Sequence, residues 1–201
     1  MNQDATFRAV LVVGFLTMFV ITLYHRLRSW KSKEPLDRRQ EGFFILATLR
    51  PIALLMYVGL FTYMINPAWM AWSSISLPVG ARWAGVVVLA LGIALLSWTL
   101  GRLGRNLTDT VVTRQEHTLV TRGPYRWVRH PFYDAVALFV AAFALIAANW
   151  FLLLTGVLVF ILLAVRSRTE EALLLARFGE PYRAYQQSAG RFLPRWREPD
   201  R

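Results

Sequence analysis

The chain has 201 residues, enough for one domain or one compact membrane unit. It is 56% hydrophobic and only 17% charged, with a mean hydropathy of +0.39, yet its formal net charge is +11. Soluble domains carry closer to one quarter charged residues, and disordered chains are far less apolar. The absence of cysteine excludes disulfides, thiolate zinc sites and a cysteine nucleophile. A chain that is both apolar and basic reads as a polytopic membrane protein with its positive charge on one side. Nucleic-acid binding is the other reading of a high isoelectric point, and the location of the arginines decides between them.

Ala9 to Tyr24 is uncharged, with Arg8 before it and His25-Arg26-Leu27-Arg28 after it. This predicts a first spanning helix, lengthened by snorkelling arginines. A cleaved signal peptide fits less well, because the positive charge follows the apolar core and no Ala-x-Ala site is present. Phe43 to Ile65 is the second apolar stretch, interrupted by Arg50-Pro51; Arg50, costly inside a span, is a candidate for a functional role or for snorkelling. Asn66-Pro67 and Pro78-Val79-Gly80 bracket a loop rich in Trp and Ser. Trp83 to Gly101 is a third span.

From Ala135 to Val165 no residue is charged. As one helix these 31 residues would be about 46 Å long, well beyond a hydrocarbon core of about 30 Å. A short helical hairpin turning at Ala148-Asn149-Trp150 fits better. Topology agrees: residues 26–39 hold six Lys/Arg, 102–129 six and 166–201 eight, and five helices put all twenty on one side. The expectation is an all-α membrane protein of five transmembrane helices, N-terminus outside and C-terminus cytoplasmic, followed by a cytosolic helical tail. Residues 1–201 form one membrane domain, with three helices in 1–101 and a cofactor-binding half in 102–201. Trp69, Trp72, Trp83 and Trp150 fall at the outer boundary, and Trp30, Trp127 and Trp196 at the inner one. The basic charge is thereby a topology signal, and nucleic acid is excluded as a partner.

The remaining polar side chains concentrate in the second half. His117 to Tyr125 is followed by Arg129-His130-Pro131-Phe132-Tyr133; beyond the hairpin come Arg166-Ser167-Arg168-Thr169-Glu170-Glu171, Phe178-Gly179-Glu180-Pro181-Tyr182-Arg183-Ala184-Tyr185 and Arg191-Phe192-Leu193-Pro194. A hairpin brings its two feet together, so cations, an imidazole, a phenol and carboxylates converge on one interfacial pocket. Each residue also has a plain structural role open to it: His130-Pro131 suits a helix start, Gly179-Glu180-Pro181 a helix stop, and Tyr182 and Tyr185 packing.

In order and spacing, these segments resemble the isoprenylcysteine carboxyl methyltransferases and their phospholipid methyltransferase relatives. The family pattern, His-x-Leu-Val-Thr-x-Gly-x-Tyr, Arg-His-Pro-x-Tyr-x-Gly, Glu-Glu and Phe-Gly-x-x-Tyr-x-x-Tyr, is matched from His117 to Tyr185. Ala135, preceded by Asp134, departs from it where the family has Gly. The resemblance implies S-adenosylmethionine as cofactor and a lipophilic acceptor arriving from the bilayer. His117, Leu119, Tyr125, Arg129, His130, Tyr133 and Glu170 would bind the cofactor. Arg168, with Arg166 as second choice, would orient an anionic acceptor beside Glu170 and Glu171. No Gly-x-Gly-x-x-Gly turn offers a soluble-type nucleotide site, and no metal is implied. The resemblance favours O-methylation of an isoprenylcysteine-like carboxylate, with lipid amines and thiols as further acceptors; an amine would need a base, for which Glu170, Glu171 and Asp134 are candidates. The contrasting expectation is a non-catalytic scaffold or a transporter-like component. The location implied is an integral membrane one, in the bacterial inner membrane.

Overall fold

The computed structural model describes residues 3–30, 43–103 and 118–195. Among the described residues, four helices are long and apolar enough to cross a membrane: α1 (Gln3–Trp30), α2 (Phe43–Ile65), α3 (Val79–Leu103) and α5 (Trp150–Phe178). Between the last two lies a shorter apolar helix, α4 (Pro131–Ala147), and a polar one, α6 (Glu180–Ser188), follows. Apolar side chains face outward over much of the surface, among them Val13, Val20, Leu54, Val87, Leu91 and Ile161. In water this would be untenable; it is the outside of a bundle solvated by lipid.

Helix α4 lies at the centre. It packs on α3 and α5 and touches α1, while α2 packs on the outside of α5. Its length of 17 residues, roughly 25 Å, is compatible with a position shielded by its neighbours. Close approach to α3 is made possible by missing side chains: a Cβ at Gly85 would lie 2.8 Å from Leu145 Cβ, and one at Gly92 would lie 3.1 Å from the Phe139 ring. Small residues at such crossings are how helices gain packing in lipid, where no hydrophobic force distinguishes protein from solvent.

The hairpin turns where the sequence places it. Ala148 adopts the left-handed conformation at φ 49°, and its N–H bonds the carbonyl of Leu145. Asn149 then caps α5, its side-chain oxygen accepting from Leu152 N at 3.1 Å. Its amide donates to Ser73 Oγ at 2.8 Å, and Ile75 N donates to Ala148 O at 2.8 Å. The 3-10 segment Pro67–Ser73 is thereby docked on the turn. At this same end Arg82 gathers three helices: Nε donates to Ile146 O at 3.0 Å, Nη1 pairs with Asp4 at 2.6 Å, and the guanidinium lies 4.1 Å from the Phe7 ring centre.

One feature of α5 departs from the expected limits. The uncharged run ends at Val165, but the helix continues for three and a half more turns to Phe178. Its inward face runs on unbroken through Leu152, Gly156, Val159, Leu163, Ser167 and Glu171, all buried. Packing, not hydropathy, sets the end of this helix, and Gly179 at φ 58° stops it. Pro181 then starts α6.

Candidate active site

The site is built at the end of the bundle opposite the hairpin turn, where α4 begins and α5 emerges. Pro131 opens α4 and places His130 at its cap position. The chain just before it is held from the other side by the tail: Arg129 N donates to Gly190 O at 2.8 Å, His130 N to Arg191 O at 3.1 Å, and Gly190 N to Trp127 O at 3.0 Å. These three bonds form a short parallel bridge that closes residues 127–130 and 189–191 into one unit.

Glu171 is the hub. Its side chain is 6% exposed and receives Arg129 Nε at 2.9 Å, His130 Nε2 at 3.1 Å, and Arg191 through Nε at 3.2 Å and Nη2 at 2.7 Å. A buried carboxylate is tolerable only when paired and hydrogen-bonded in this way. Arg129 also donates to the carbonyls of Gln186 and Ala189 at the end of α6. Arg191 is held charged by its bonds to Glu171, above the ordinary guanidinium value.

Glu170, one residue earlier, has a different environment. It accepts from Tyr133 Oη at 2.6 Å, lies 3.2 Å from Arg166 Nε and 3.6 Å from His130 Nδ1, and stays 20% exposed. The His130 and Tyr133 rings stack, 5.4 Å apart and 9° from parallel. Next to these charges is a cavity of about 110 Å³, walled by Leu119, Tyr125, Leu174, Phe178, Tyr182 and Tyr185, with Arg129 also on its lining.

Of the residues singled out in the sequence, the structure joins Arg129, His130, Tyr133, Glu170 and Glu171 in one cluster, and puts Leu119 and Tyr125 on the adjoining cavity. Arg168 stands apart: it is exposed, and the i, i+4 partner of Glu170 is Arg166. His117 lies outside the described residues. Arg50 is exposed in the second turn of α2, at the site end of the bundle. Arg191 is the contributor that sequence reasoning missed. An arginine in a terminal Arg-Phe-Leu-Pro segment has no periodicity to mark it, and only the return of the tail against residue 129 reveals its partner.

The family model of the isoprenylcysteine carboxyl methyltransferases matches residues 83–176, which include both feet of the hairpin and the Glu170-Glu171 pair. Over this stretch, just under half of its length, the chain is similar to the isoprenylcysteine carboxyl methyltransferase family. Among curated relatives, a protein-S-isoprenylcysteine O-methyltransferase of Schizosaccharomyces pombe is 29% identical over 53% of this chain and 46% of its own length. One of Tribolium castaneum is 31% identical over 55% of the chain and 40% of its own length. Protein YpbQ of Bacillus subtilis, described as uncharacterized, is 29% identical over 46% and 56%. The chain thus spans about half the length of the curated relatives it matches. A solved structure of the eukaryotic intramembrane Ras methyltransferase ICMT shares the fold, with a TM-score of 0.59 at 21% identity, over 92% of this chain and 67% of that one.

Proposed function

We propose that the protein is an integral-membrane, S-adenosylmethionine-dependent methyltransferase acting on a lipophilic acceptor, with an isoprenylcysteine-like carboxylate as the favoured class. The observation that carries this reading is the convergence, in a chain similar to this family, of a guanidinium–imidazole–carboxylate cluster with an aromatic cavity at the end of a bundle exposed to lipid. Five membrane crossings, with the site end cytoplasmic, complete the picture. They put twenty of 23 basic residues on the cytoplasmic side.

The residues present fit the cofactor. Aromatic and aliphatic walls suit a flat base, Arg129 on the lining suits a carboxylate, and the Tyr133 ring and Glu170 suit cationic groups. When bound, S-adenosylmethionine supplies an electrophilic methyl on a sulfonium. An ionised carboxylate acceptor is already nucleophilic, so the protein's contribution is alignment and exclusion of water. Glu171 is committed to three donors and acts as a positioning residue for Arg129 and His130. Glu170, more open and set beside Arg166, is the carboxylate free to face reactants. Arg166, oriented through Glu170, is better placed than Arg168 to hold an anionic acceptor. An amine acceptor would instead draw on Glu170 as base.

Calorimetric titration of the purified protein with S-adenosylmethionine tests the reading. Binding that weakens in His130→Ala or Glu170→Ala is expected, and no binding by folded wild-type protein would overturn it. The scaffold or transporter alternative draws no support from the comparisons. Transporters place ionisable groups near the midplane, whereas the uncharged stretch 135–165 makes up α4 beyond its first turn and the first half of α5.

A further inference from the structure

Three exposed arginines, on α2, α5 and the tail, lie at the site end of the bundle, and the active-site cluster uses none of them. Phe192 shows how deep the tail reaches there. Its ring lies 5.7 Å from Phe160 of α5 and 5.8 Å from His130. With Leu49 and Ile52 of α2 it packs against Tyr133, Val159 and Leu163. Phe160 lies well inside the uncharged stretch that ends at Val165, so its partner Phe192 reaches hydrocarbon depth. The next residue, Leu193, is 80% exposed, an apolar side chain at the boundary of acyl chains and headgroups. The turn that presents both is tight, since a Cβ at Gly190 would run into the carbonyl of Leu193.

Arg50 and Arg168 each end a lipid-facing stripe. On α2, Arg50, Leu54, Tyr57 and Phe61 follow at helical spacing and all are exposed. On α5, Ile161, Val165 and Arg168 do the same. Gly59 packs against Phe151 and Leu152, so the antiparallel run of the two helices sets Arg50 about level with Phe160. Arg195, three residues beyond Phe192, is exposed and donates from Nη1 to Gln187 O at 3.1 Å. The site arginines Arg129, Arg166 and Arg191 all face Glu170 or Glu171. Among the described residues, by contrast, none of Arg50, Arg168 and Arg195 is paired with a carboxylate. Cations without protein counter-charge, beside apolar side chains that face lipid, are complementary to an anionic headgroup.

We propose that this edge of the molecule is a docking surface for anionic phospholipid in the leaflet at the site end. Headgroup phosphates pair with Arg50, Arg168 and Arg195, and Leu193 inserts between the lipids. The segment so held also carries Arg191 to Glu171, and its residues 190 and 191 bond the backbone of 127–130. Docking therefore clamps the tail on the buried cluster, which makes leaflet charge a regulator of the site whatever reaction it catalyses.

The test uses the full chain in nanodiscs of phosphatidylcholine, with or without about one third phosphatidylglycerol. Phosphatidylglycerol should raise the thermal midpoint by about 5 °C, as phosphate-paired arginines in a chain of this size imply. Arg50→Gln/Arg195→Gln should lose that gain while matching the wild type in phosphatidylcholine alone. Arg122→Gln/Arg126→Gln removes equal charge at two other exposed positions and should keep it. The chain has no cysteine, so Leu193→Cys labelled with the fluorophore NBD reports on the tail directly. Its emission should shift to the blue when phosphatidylglycerol is present. An unmoved wild-type midpoint overturns the proposal, and so does an equal response of the two double variants. Destabilisation of Arg50→Gln/Arg195→Gln in phosphatidylcholine alone, or a probe indifferent to phosphatidylglycerol, also overturns it. None of these readouts involves S-adenosylmethionine, whose failure to bind would overturn the proposed function alone.

Discussion

Glu171 holds together three parts of the chain that are distant in sequence: the foot of α4 through Arg129 and His130, its own helix, and the tail through Arg191. Removing one member of a buried ionic cluster leaves the others uncompensated, a loss of about 3–5 kcal/mol. Glu171→Ala should accordingly lower the thermal midpoint of the purified protein sharply and release the tail, detectable as faster proteolysis after Arg191. Arg166 and Arg168 make a sharper residue-level comparison. If Arg166 positions the acceptor, Arg166→Ala should lower kcat by about 100-fold or more, as loss of one preorganised donor does. Arg168→Ala, at an exposed position, should stay within about threefold of wild type. Equal losses in initial-rate measurements would return Arg168 to the role its sequence position suggested.

At the scale of elements, the hairpin is the device that makes the site. Its turn uses two adjacent residues with opposite duties, Ala148 ending one helix and Asn149 starting the next. An alanine in the left-handed region carries a cost of about 1 kcal/mol that glycine avoids, so Ala148→Gly should raise the thermal midpoint. Asn149→Ala should lower it by the equivalent of about 1 kcal/mol for the lost cap, with a further loss because Ser73 gives up its amide partner. The hairpin was legible because 31 uncharged residues are too many for one crossing. The true end of α5 was not, because it depends on a buried face that hydropathy does not register. Likewise the family pattern brought Arg129, His130, Glu170 and Tyr182 to attention, whereas the place of Arg191 in the cluster emerged only from the way the tail folds back after α6.

For the molecule as a whole, the distribution of basic residues predicts that the hairpin turn lies outside and the site inside the cell. A chain without cysteine is a ready background for testing this. Ser74→Cys should react with a membrane-impermeant maleimide in intact cells, and Gln187→Cys only after lysis; the reverse pattern would invert the topology. The proposed transfer of a methyl group to a lipophilic acceptor is read from its product. Membranes containing the protein are incubated with methyl-labelled S-adenosylmethionine, and the lipid-soluble fraction is treated with mild base. The prediction is label in a lipophilic product, released as volatile methanol from an ester and absent with Glu170→Ala. Folded, membrane-inserted protein that transfers no label to any lipophilic product would contradict it.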